Sequence, residues 1–240
     1  TAQLAEEGFV VLPYMFPDLV CARDLVRAGV MNEGALSRKL GYKGRPAVAE
    51  ELLLVRDGML AADVGGYVHV CHVSTKGSVD YIRRMKAAGI HVTAETCPQY
   101  FTLTEEEIEK QGAMAKVNPP LRTRADVEAI LEGLEDGTLD CIITDHAPHT
   151  VEEKARELPK APSGMVGLET SLALSLTVLH HQLGWPLMKV LRAMSTAPAG
   201  ILQLDAGSLR VGAPADIVLF DPEETWTVRP EAFASKGRNT

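Results

Sequence analysis

Two short segments carry the residue types that metal and proton-transfer chemistry needs. The first, YVHVCHVST (67–75), contains His72. With a side-chain period of two, Val68, Val70 and His72 share one face, and Tyr67, His69 and Cys71 share the other. His72 so placed continues a face of valines and would point into the mouth of a barrel. A histidine there is either a metal ligand or a hydrogen-bonded core residue. His69, on the opposite face, reads as structural. The second segment, TDHAPH (144–149), follows the apolar CII. Asp145, a carboxylate at a strand end, can ligate a metal and take a proton from metal-bound water. As a bare aspartate it can equally cap a helix. The crowding of titratable groups favours the chemical reading, because burying them without a task costs free energy. His149, four residues on, can reach a substrate carboxylate.

Two further segments could bind. In VNPPLR (117–122) two prolines stiffen the backbone around Asn118, whose amide can read a polar substrate; by residue type alone it also reads as a turn. In APSGM (161–165), Ser163 and Gly164 either face a substrate with free backbone N–H groups or punctuate the chain before a helix. Cys71, Cys97 and Cys141 have no activating base beside them in sequence and read as core thiols.

The elements that must position these residues alternate between short β-branched runs and amphipathic helices. Strands are expected over 9–14, 67–73, 90–95 and 141–144. Helices are expected over 19–28, 47–64, 78–88, 104–110, 126–135, 168–183 and 186–195. Gly89 is placed to stop the third of these, and Thr104 with Glu107 has capping-box spacing. The alternation predicts an α/β fold with a parallel sheet, part of a (β/α)₈ TIM-type barrel, whose chemistry lies at the C-terminal strand ends. After Gly200 the pattern GSLRVGAPADIVLFD (207–221) predicts a small C-terminal β element.

Composition fits that architecture. The 240 residues are 46% apolar and 23% charged, which excludes a disordered, collagen-like or disulfide-stapled chain. The net charge of −8 and pI near 5.4 argue against nucleic-acid or anionic-membrane partners. Four dispersed cysteines without a CxxC pair point to reduced thiols and a cytoplasmic setting. The most apolar stretch, 168–183, contains Glu169, His180, His181 and Gln182 and reads as a buried helix rather than a membrane span. Both ends read as cuts: the first lacks a Met and any signal pattern.

The segments MNEG (31–34), HVSTKGSV (72–79), AETCPQY (94–100), VNPPLR, DGTLDCIITDHAPH (136–149), EKA (153–155), APSGMVGLET (161–170) and GSLRVGAPADIVLFD resemble the bacterial class I dihydroorotases, from about residue 30 to the end. That resemblance implies the C-terminal half of a metal-dependent amidohydrolase barrel. It implies reversible cyclisation of N-carbamoyl-L-aspartate to L-dihydroorotate, a step of pyrimidine biosynthesis, with Zn2+ as cofactor. By resemblance His72 is a zinc ligand and Asp145 both a zinc ligand and the general acid/base. Asn118 and His149 are substrate-binding, and Ser163 with Gly164 forms the loop against the substrate.

Three departures accompany the resemblance. The family's HxH zinc motif has no counterpart upstream of Val30. A further zinc histidine would fall on Leu19, which cannot ligate. Residues 1–29 resemble instead a strand–helix unit of thiazole synthase. The expected organisation is therefore a foreign βα segment (1–29), half a barrel (30–200) and a β-rich tail (201–240). Such a chain is expected to be inactive alone and to form homo-oligomers. The rival readings are a hydantoinase- or allantoinase-like cyclic amidohydrolase, since AETCPQY is shared with those enzymes, and a non-catalytic structural partner of aspartate transcarbamoylase.

Overall fold

The computed structural model describes residues 9–10 and 29–240. Four strands form one parallel sheet in the order β1-β4-β5-β6: β1 (Phe9–Val10), β4 (Tyr67–Val70), β5 (Val92–Thr96) and β6 (Cys141–Ile142). A separate parallel pair, β2 (Met31–Asn32) and β3 (Gly44–Arg45), flanks helix α1 (Ala35–Leu40). The strand expected over 9–14 is present at Phe9–Val10. Its remainder, and the helix expected over 19–28, lie outside the described residues.

Crossover helices join the sheet strands, as a parallel sheet requires. Helix α2 (Val48–Val64) leads into β4, and α3 (Lys76–Ala87) joins β4 to β5. Thr75 caps α3, its hydroxyl accepting from the Ser78 N–H at 3.1 Å. The helix is followed by Gly89 at φ 76°, a left-handed position that glycine tolerates. Two short helices, α4 (Pro98–Thr102) and α5 (Glu107–Gln111), precede α6 (Arg124–Asp136), which joins β5 to β6. The Thr104 hydroxyl pairs with Glu106 rather than Glu107, so α5 starts later than the sequence spacing suggests. A Thr123–Asp126 capping box opens α6 and Gly137 at φ 80° ends it. Beyond β6 come α7 (Val151–Lys154) and α8 (Ser171–Ser175), which continues as a π-helix over Leu176–Gln182.

The main core lies between one face of the sheet and these helices. Val68, Val70, Ala94 and Ile142 pack there with Val79, Ile82, Ile130 and Leu134. This corrects the face assignment read from sequence. The valines of β4 face the helices, so Tyr67, His69 and Cys71 occupy the other face, which in a closed barrel is the interior. In-register pairing puts Thr93, Glu95 and Cys141 on that same face. The sequence pattern could not settle this, because period two separates the faces without saying which is inside.

The tail also departs from expectation. Among the described residues, 202–240 hold no strand, only a 3₁₀ turn at Pro230–Ala232. The alternation in 207–221 is real, yet Leu209, Val211 and Leu219 are 87%, 105% and 96% exposed. A strand needs a neighbour to satisfy its backbone groups, and no described strand lies beside this segment.

Candidate active site

The loops at the C-terminal strand ends carry the candidate residues. His72 lies two residues past β4 and Asp145 three past β6. Both strands point the same way with β5 between them, so their ends lie on one edge roughly 10 Å apart. His72 has φ 39° and Asp145 φ 45°; among the described non-glycine residues only Gln203 shares a positive φ. Such conformations cost about 1–3 kcal/mol and cluster where function holds them. The turn at His72 also ends the pleat, so its direction does not follow from the valines before it. Burial pushes the Asp145 carboxyl above the usual carboxylate range; the nearby His72 opposes that shift and Glu95 adds to it. His72 and Asp145 thus share one electrostatic environment.

A buried carboxylate fixes the loop after His72. Glu50, 4% exposed on α2, accepts from the Ser74 N–H at 3.0 Å, the Thr75 N–H at 3.3 Å and the Ser78 hydroxyl at 2.8 Å. It also accepts from the Ser74 hydroxyl and lies 3.6 Å from the Arg122 guanidinium. These donors open α3, where negative charge is favoured. Arg122, 3% exposed, donates in turn to Ser74 Oγ at 3.2 Å, Asn32 Oδ1 at 2.9 Å and the Arg45 carbonyl at 2.8 Å. The VNPPLR segment is thereby tied to the loop that follows His72. Asn118, half-buried, accepts through Oδ1 from the Arg45 guanidinium and does not bond to the other candidates.

His149, Ser163 and Gly164 come together through a loop pair. His146 and Met165 form a parallel bridge, and the Ala147 N–H donates to the Met165 carbonyl at 2.9 Å. His149 Nε2 lies 3.0 Å from the Ser163 carbonyl oxygen. Gly164 has φ 147°, and a Cβ there would sit 2.7 Å from Ala147 Cβ and 2.8 Å from His149 Nε2. Only glycine allows the loops to approach this closely.

Sequence reasoning missed the residues that clamp this pair. Asn239 is 1% exposed. Its Oδ1 accepts from the His149 N–H at 2.9 Å, and its Nδ2 donates to the carbonyls of Ala147 at 2.9 Å and Gly164 at 3.0 Å. Lys154, 4% exposed, donates to the carbonyls of Gly164 at 3.0 Å, Pro162 at 3.2 Å and Lys116 at 3.2 Å. Lys116, also buried, donates to the carbonyls of Ala161 at 2.6 Å and Leu158 at 2.7 Å. Burial, with the charge of Lys116 nearby, brings the Lys154 ammonium down to about 8. No local pattern marks an asparagine near a chain end. The EKA wording was visible, but its lysine's burial was not.

The family model described as the amidohydrolase family matches residues 55–239. The chain belongs to the amidohydrolase family. Curated relatives named dihydroorotase are similar to it. That of Pelotomaculum thermopropionicum is 51% identical over 219 residues, 91% of this chain and 51% of the relative. That of Trichlorobacter lovleyi is 49% identical over 217 residues, 90% of this chain and 51% of the relative. The chain spans about half the length of the curated relatives it matches. Among solved structures, the dihydropyrimidinase of Brevibacillus agri NCHU1002 superposes with a TM-score of 0.78 at 27% identity, covering 94% of this chain and 50% of that one. The D-hydantoinase of Bacillus sp. AR9 gives 0.66 at 30% identity, covering 72% and 39%. The parallel sheet and crossover helices of this amidohydrolase are thus part of the barrel such enzymes share.

A catalytic zinc centre takes three protein ligands and an open position. His72 and Asp145 would supply two. Among the described residues these two do not complete such a centre by themselves.

Proposed function

We propose that this amidohydrolase chain is the C-terminal part of a dihydroorotase, acting reversibly between L-dihydroorotate and N-carbamoyl-L-aspartate, with zinc as the metal of the intact centre. The observation that carries the reading is the 49–51% identity to curated dihydroorotases over about nine-tenths of the chain. The hydantoinase-like alternative draws on structural neighbours of only 27–30% identity.

Hydrolysis of the ring amide adds hydroxyl to the carbonyl carbon and a proton to the departing nitrogen. In this reading Asp145 moves that proton: a carboxyl raised by burial can hold it until the nitrogen takes it. In the biosynthetic direction Asp145 removes the same proton. His149 and Asn118 donate to the substrate's carboxylate and amide groups, while Ser163 and Gly164 line it with backbone. Glu50 and Arg122 keep the loop after His72 in place. The bound metal would supply Lewis-acid activation of the attacking water, and His72 with Asp145 would hold one side of it.

The test is turnover by the full-length parent protein. Hydrolysis of L-dihydroorotate at a kcat/KM at least tenfold above that for hydantoin is expected, and the reverse preference would sink the assignment. Replacing Asp145 by Asn in that protein is expected to lower kcat by about 10²–10⁴-fold, the usual contribution of a positioned acid/base. The chain of 240 residues by itself is expected to be inactive.

A further inference from the structure

We propose that His69, Cys71 and Glu95 form a second metal site, for a borderline-soft divalent ion such as Zn2+, on the interior face of β4 and β5. None of the three has a part in the proposed dihydroorotase reaction, so the site stands or falls independently of that reading.

The geometry follows from strand register. His69 pairs with Thr93 across the two parallel strands. Two residues further along each strand, Cys71 and Glu95 project from the same face. The imidazole, thiol and carboxylate ligand atoms all lie within 4.8 Å of one another. Tetrahedral zinc, with bonds of about 2.0–2.3 Å, holds its donors roughly 3.3–3.8 Å apart, so small side-chain adjustments suffice. His69 Nε2 is already 3.0 Å from Glu95 Oε2. The other ring nitrogen, Nδ1, lies 2.7 Å from the Thr93 hydroxyl, which also pairs with the Tyr67 hydroxyl. A ligating histidine is oriented through its second nitrogen in this way. One nitrogen, one sulfur and one oxygen donor suit zinc-like ions over calcium or magnesium, which take oxygen alone. The His69 and Glu95 side chains are 20% and 13% exposed, so an ion can reach them.

Binding balances as follows. A neutral imidazole, a thiol, a carboxylate and M2+ give the metal bound to imidazole, thiolate and carboxylate, with one proton released to solvent. Without an ion the same groups form a hydrogen-bonded triad, which is the competing state.

The experiment titrates the 240-residue chain with Co2+ alone. A 1:1 complex is expected, with a thiolate-to-cobalt charge-transfer band in the near ultraviolet that Zn2+ abolishes by displacement. Cys71→Ser should remove the band. His69→Gln and Glu95→Gln should each weaken binding by at least about tenfold. Cys97→Ser and Cys141→Ser should leave band and affinity unchanged, and Asp145→Asn should keep the band. X-ray absorption at the zinc edge of the zinc-loaded wild-type chain needs no substitution and should read one sulfur among nitrogen and oxygen neighbours. A wild-type chain without the band, a band that survives Cys71→Ser, or a sulfur-free zinc shell overturns the proposal. Loss of the band in Asp145→Asn also overturns it, by assigning the ion to the His72–Asp145 edge.

Discussion

Asn239 joins two loops through one side chain. Truncating it leaves the His149 N–H and the Ala147 carbonyl unpaired, while Gly164 keeps its bond from Lys154. Asn239→Ala should therefore cost about 2–4 kcal/mol, read from urea unfolding, because unsatisfied buried groups carry their full desolvation penalty. In the full-length protein the same change should raise KM more than it lowers kcat, since Asn239 bonds His149 and Gly164 directly and meets the segment of Asp145 only at Ala147, two residues on. Lys154 gives a pH dependence. Its folded pKa, about 8, lies below the ordinary lysine value of 10.5, so between these limits the unfolded chain binds more protons. Its contribution to stability therefore rises with pH across that window and is lost as pH falls through about 8. Unfolding of wild type and Lys154→Met compared at pH 7 and pH 9.5 should show the difference shifting toward wild type at the higher pH. At this scale His72, Asp145 and His149 were legible as candidates from residue type and strand-end position, Asn118 from its prolines, and Ser163 with Gly164 from a loop pattern. The clamps were not, because a buried lysine or asparagine is defined by carbonyls remote in sequence.

The buried Glu50–Arg122 network couples elements, linking α2, the start of α3 and the VNPPLR segment. Removing one partner strands the other's charge. Glu50→Ala is expected to destabilise by about 3–5 kcal/mol, whereas Glu50→Leu combined with Arg122→Met should cost clearly less than the sum of the singles. A double-mutant cycle measured by denaturant unfolding checks this, and strict additivity would refute the coupling. The helices were largely readable: α3 and α6 lie within two residues of expectation, since their caps and apolar stripes are local signals. The faces of β4 were not, because both carry residues that tolerate burial. His69 was read as structural, while the fold puts it with Glu95 and Cys71 on the barrel-interior face.

At the scale of the whole molecule, large apolar side chains among the described residues lie open to solvent. On α2, Val48, Leu52, Met59, Leu60 and Val64 are 43–68% exposed, and the tail adds Leu209, Val211, Val218 and Leu219. Apolar surface of this extent drives association. Sedimentation should show species heavier than 25.9 kDa that grow with concentration, and a monodisperse monomer would contradict the expectation. No described helix is long and apolar enough to cross a membrane.

The sequence by itself determined the alternation of parallel strands with crossover helices and the ends of α3 and α6, because caps, periodicity and turn residues act within a few positions of one another. Only the tertiary structure decided which face of β4 lies inside, that Asn239 and Lys154 hold the loops of His149 and Gly164, and that the tail forms no strand. Each of these depends on a partner brought close by the sheet or missing beside it, and such distances are not written in any local stretch of residues.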